Sequence, residues 1–106
     1  MTDDNQNGAK MDIALSDEVA EGIYSNLAII THSHSEFIVD FVSLMPGLPK
    51  GNVKSRIILT PQHAKRLLAA LEENIKRFES THGHIPDYGD PTRGIPINIG
   101  KSKGDA

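Results

Sequence analysis

The chain has 106 residues, enough for one small domain and too few for two. It carries 11 basic and 14 acidic residues for a formal charge of −3, which gives it no global adaptation to nucleic acid or to an anionic membrane. Cysteine is absent, which excludes disulfides, thiolate metal sites, iron–sulfur clusters and a cysteine nucleophile.

Residues 1–19 read as a flexible acidic lead. Over residues 1–22 the acids Asp3, Asp4, Asp12, Asp17, Glu18 and Glu21 face one base, Lys10. Such a segment buries little. It has no basic start and no apolar core, so it is not expected to act as a secretory signal. No apolar run approaches the roughly 20 residues of a membrane helix. The expected location is therefore the cytoplasm, with no membrane partner. Within residues 11–20, Met11, Ile13, Ala14 and Leu15 form a small apolar patch that would dock or add an edge strand.

Residues 22–32 and 36–44 are rich in β-branched and aromatic side chains and short enough to be strands. Ser33-His34-Ser35 between them predicts a tight hairpin. Two prolines and two glycines over residues 45–52 break regular structure, and residues 53–59 predict a third strand. A register in which Thr31 faces Phe37 places Leu27, Ile29, Phe37, Val39 and Phe41 on one face, joined by Val53, Ile57 and Leu59. The opposite face then holds Ala28, Ile30, Ile38, Asp40, Val42, Arg56 and Ile58. Asp40 and Arg56 would pair across adjacent strands.

The helix that follows has the strongest signals. Thr60 is a good N-cap, Pro61 fits the first helical position and Gly83 is a natural stop, so the helix should span residues 61–82. Ala64, Leu67, Leu68, Leu71, Ile75 and Phe78 recur at steps of three and four and make one apolar stripe. Glu72 and Lys76 are placed for a helical ion pair. Three prolines and four glycines after Ile85 predict a flexible tail over residues 86–106.

The fold expected is thus α+β: a three-stranded antiparallel meander followed by one long amphipathic helix, a β-β-β-α core over residues 20–85. Leu67, Leu71, Ile75 and Phe78 would pack on the first sheet face. The second face, with Ile30, Ile38, Asp40, Val42, Arg56 and Ile58, would then remain as an association surface, and a homodimer or higher homo-oligomer is expected.

The arrangement resembles a small bacterial and archaeal family described as a domain of unknown function. The residues that carry the resemblance are Tyr24-Ser-Asn26, Glu36-Phe-Ile-Val-Asp40-Phe41, the stretch from Ser55-Arg56 through Thr60-Pro61-Gln-His63-Ala64-Lys65-Arg66, then Leu71-Glu-Glu-Asn74-Ile75 and Gly83-His-Ile85. The resemblance implies a compact unit and brings no activity, substrate or catalytic residue.

Candidate chemistry is sparse. His32-x-His34 and His82-x-His84 have the spacing of strand chelators, and with His63 they make metal binding an alternative reading. His34 falls in the expected turn, however, and Gly83 interrupts the second pair. Ser33 and Ser35 beside those histidines do not make a triad. Glu36 and Asp40 would stand about 13 Å apart along a strand, too far to share a proton. No phosphate-binding loop is present. These patterns predict no enzyme, no cofactor and no resident metal. Residues 50–77 hold seven bases and two acids, so a nucleic-acid contact through Lys54, Arg56, Lys65 and Arg66 is a further alternative. The principal expectation is a cytoplasmic homo-oligomeric binding or assembly module whose partners are its own copies and an unidentified protein.

Overall fold

A computed structural model describes residues 10–47, 50–89 and 94–100. Parts of the expected lead, of the 45–52 connection and of the tail lie outside these residues. The element order is α1 (Asp17–Ala20), β1 (Leu27–His32), β2 (Phe37–Ser43), β3 (Asn52–Leu59) and α2 (Pro61–His82). The three strands form one antiparallel sheet with β2 in the middle, so the β-β-β-α, α+β architecture is the one read from the sequence. The chain divides into two units, residues 1–66 and 67–106, with the boundary inside α2.

No strand forms within residues 11–20. Ser16 caps one helical turn instead, its Oγ accepting from the Val19 N–H at 3.2 Å. The first strand also starts later than residue 22. Gly22 has φ +79°, and the next polar residues are used as a clamp rather than as strand. Ser25 Oγ donates to the carbonyls of Leu27 and Val42, both at 2.9 Å. Asn26 accepts from the Leu44 N–H at 2.8 Å and donates to the Leu44 carbonyl at 3.0 Å. Its amide thus extends the ladder by one pair, as a backbone peptide would.

The β1–β2 register differs by one residue from the expected one. Leu27 faces Val42, Ile29 faces Asp40, Thr31 faces Ile38 and His32 faces Phe37. The reason lies in the turn. The Ser33 N–H donates to the Glu36 carbonyl at 3.0 Å, so Ser33 and Glu36 close the ladder and only His34 and Ser35 remain as the loop. Two-residue loops are the common hairpin solution, and an even loop gives the other register from a three-residue link. Leu27 and Ile29 therefore share a face with Ile38, Asp40, Val42, Arg56 and Ile58. Ala28 and Ile30 share the opposite face with Phe37, Val39, Phe41, Ile57 and Leu59. Ile30 is thereby removed from the expected association face.

The β2–β3 pairing holds as expected up to a bulge. Phe41 faces Ser55 and Val42 faces Val53, which leaves Lys54 as the extra residue. Past the bulge two side chains pack against Gly51: a Cβ there would stand 2.6 Å from Leu44 Cδ2 and 3.0 Å from Val42 Cγ1.

α2 has the expected bounds. Thr60 Oγ1 accepts from the His63 N–H at 3.2 Å, and Pro61 opens the helix. Gly83, at φ +94°, ends it, its N–H donating to the Glu79 carbonyl at 2.9 Å. The Glu79 side chain then caps the exit by accepting from the Ile85 N–H at 2.9 Å. The i, i+4 ion pair on this helix joins Glu73 to Arg77 at 2.9 Å, rather than Glu72 to Lys76. Both partners are exposed, so it contributes a few tenths of a kcal/mol.

The buried side chains lie on the sheet. Among the described residues the buried apolar side chains are Val39, Val42 and Leu59, all on the sheet, and α2 buries none of its residues. Amphipathic spacing marks which side of a helix is apolar, not what covers it. Replacing Leu59 by Ala should lower the unfolding free energy by about 2–5 kcal/mol in urea denaturation. A change inside about 0.5 kcal/mol, the range of surface substitutions, would remove Leu59 from the core.

Candidate functional site

The sheet register puts one charged side chain where an apolar one would be expected. Asp40 sits in the central strand, between Ile29 of β1 and Arg56 of β3, with Ile38 and Val42 before and after it on the same face. Its side chain is 2% exposed. A carboxylate so placed needs a partner. Arg56 supplies one in fork geometry: Nε donates to Oδ1 at 2.6 Å and Nη2 to Oδ2 at 2.9 Å. The guanidinium itself is 54% exposed, so the pair has a dry end and a wet end.

The Arg56 hydrogen bonds lower the Asp40 pKa from its ordinary value. Burial opposes that shift and the Arg56 charge adds to it. Arg56 is raised in turn, chiefly by its hydrogen bonds to Asp40. Because the folded-state pKa of Asp40 lies below the unfolded one, its stabilisation is complete above the ordinary carboxylate range and is lost as pH falls through the lowered value.

The face around the pair is apolar. Of the six residues expected to line an association surface, Ile38, Asp40, Val42, Arg56 and Ile58 share it, and Ile30 lies on the other side of the sheet. Ile58 is exposed, whereas Val42 is buried. The second apolar surface is the stripe of α2. Leu67, Leu68, Leu71, Ile75 and Phe78 are between 39% and 68% exposed. A third is a shallow depression of about 450 Å³ walled by Val19, Ile23, Phe41 and Ile57, with Glu18 and Ser25 at its margin. The Ser25 hydroxyl is committed to two carbonyls, and Ser55 also lines the depression.

The other candidate residues are dispersed among different local roles. His32 stacks on Phe37, its cross-strand partner, with ring centroids 5.3 Å apart. His82 packs on Phe78 at 4.7 Å, and His84 Nδ1 lies 3.3 Å from Glu79 Oε2. Ser33 Oγ accepts from the Ser35 N–H at 3.3 Å and so serves the turn. Among the described residues no three His, Asp or Glu side chains gather as a metal site would require. Of the basic residues, Arg56 is engaged by Asp40, while Lys54, Lys65 and Arg66 are exposed.

Sequence reasoning missed the structural roles of Ser25, Asn26 and Glu79. A Ser-Asn pair just before an apolar strand was the available signal for the first two. A Glu four residues before a helix-ending Gly was the signal for the third.

The fold and its surfaces define a small α+β domain with apolar faces left open and no assembled catalytic constellation among the described residues. The chain belongs to the family described as protein of unknown function (DUF3467), whose model matches residues 1–87. The match therefore takes in the acidic lead as well as the core. No curated protein and no solved structure matches the chain.

Lowering the pH from neutrality through the lowered Asp40 value should remove the Asp40 contribution to stability. Urea midpoints of the wild type and of Asp40→Asn, measured across that range, should converge at the acid end. A constant difference between them would show that the Asp40 charge does not stabilise the fold.

Proposed function

We propose that this chain is a non-catalytic binding and assembly module of the cytoplasm that acts as a homo-oligomer. The observation that carries this reading is the state of α2. A 22-residue helix with a continuous apolar stripe buries none of its residues in one chain. Isolated helices owe most of their stability in proteins to packing of that stripe, so a partner surface is implied. Full burial of a Leu, Ile or Phe side chain contributes roughly 1.5–3 kcal/mol relative to exposure. A second copy supplies the same apolar surfaces at the same concentration, and closed symmetric pairs are the commonest way to use them.

Other features support the same reading. The Asp40 and Arg56 pair is buried at one end and open at the other, which suits a polar mark on an apolar contact face: it fixes alignment at small cost. Among the described residues no helix is long and apolar enough to cross a membrane. A nucleic-acid reading draws on Lys54, Lys65 and Arg66 but loses Arg56, whose guanidinium already donates twice to Asp40.

Sedimentation velocity at micromolar concentration tests the proposal. The wild type should run as a dimer or larger assembly. Leu71→Glu, which puts a charge into the middle of the stripe, should shift it toward monomer with the sheet intact by circular dichroism. A wild-type monomer would overturn the reading, as would a Leu71→Glu chain that assembles as tightly as wild type.

A further inference from the structure

The stripe on α2 has a finer pattern than amphipathicity requires. Ala64, Leu68, Leu71, Ile75, Phe78 and His82 follow one another by alternating steps of four and three residues. That alternation of four and three is the pattern of a coiled-coil seam, and over a helix of this length it keeps all six residues on one face. One flank of the seam carries Lys65, Glu72 and Glu79 at seven-residue intervals, and the other carries Leu67, Asn74 and Thr81. Two features of this seam depend on direction. Its residues are small at the start, Ala64, and bulky at the end, Phe78 and His82. Its charged flank is basic at the start and acidic at the end.

We propose that α2 pairs with α2 of a second copy in antiparallel orientation, about a two-fold axis passing close to Glu73. This deepens the assembly reading above and rests on it. In that orientation Leu71 meets the partner's Ile75, Leu68 meets the partner's Phe78, and Ala64 meets the partner's His82, so that the bulky end of one helix faces the smaller end of the other. The charged flank then faces itself. Lys65 lies beside the partner's Glu79, twice by symmetry. Glu79 spends Oε2 on the Ile85 N–H and keeps Oε1 for that contact. A parallel pair instead stacks Phe78 on Phe78 and Ala64 on Ala64, and sets the charged flank against Leu67, Asn74 and Thr81, where it finds no opposite charge. The antiparallel pair has one unfavourable element: Glu72 faces the partner's Glu72 at the axis. That makes the proposal specific, because removing this charge should strengthen the dimer.

The chain has no cysteine, so Gln62→Cys provides a unique attachment point for a spin label in the first turn of α2. In the full chain, the antiparallel pair separates the two labels by about 33 Å along the helix axes at 1.5 Å per residue. A parallel pair leaves no separation along the axes, so that only the roughly 10 Å between helices and the outward reach of the two side chains part them. Dimer dissociation constants should rise roughly three- to tenfold for Lys65→Glu and fall about two- to threefold for Glu72→Gln, with Lys76→Glu, on the polar side, close to wild type. A dimer with short label separation, or one indifferent to both flank substitutions, would overturn the antiparallel pair and leave homo-oligomer assembly standing. A chain that stays monomeric would overturn both.

Discussion

Ordering three strands and a 22-residue helix costs conformational entropy, and apolar burial has to offset it. One copy of this chain buries little: Val39, Val42 and Leu59 are the buried apolar side chains among the described residues. That shortfall organises the rest. It accounts for the exposed seam of α2. In the proposed assembly a second copy supplies the missing cover.

Within one chain, the sheet keeps its order by polar devices more than by packing. Asp40 and Arg56 fix β2 against β3, since a one-residue slip would leave a buried carboxylate facing an apolar neighbour. Ser25 and Asn26 fix the other end of β1 against β2 through four hydrogen bonds to the backbone of Leu27, Val42 and Leu44. Glu79 holds the exit of α2 through the Ile85 N–H. These residues lie in or beside the Tyr24-Ser-Asn26, Asp40, Arg56 and Gly83-His-Ile85 stretches that carry the family resemblance. In this structure those stretches have local architectural roles.

Legibility in the sequence followed the range of each interaction. The bounds of α2 were readable because Thr60, Pro61 and Gly83 act within one turn of their own positions. The Asp40 to Arg56 contact was readable because opposite charges on neighbouring strands of matching length find one register. The β1 register was not, because Ser33-His34-Ser35 permits loops of either parity, and one backbone hydrogen bond between Ser33 and Glu36 decides between them. That single bond moved Leu27 and Ile29 to the Asp40 face and Ile30 away from it. The cover of α2 was not legible for a different reason. A stripe of Leu, Ile and Phe states that a helix needs a cover, while the origin of the cover is a property of the assembly and not of the stripe.

The central claim is that folding of this chain is completed by association. Binding between folded copies raises the stability of the folded state by mass action, so the thermal midpoint of an associating chain depends on its concentration. Circular dichroism melts of the full chain over about a hundredfold range of concentration test this most directly. The account predicts a midpoint that rises steadily with concentration. A midpoint that stays constant across the range, with a single cooperative transition, would show a chain that is complete as a monomer and would contradict it.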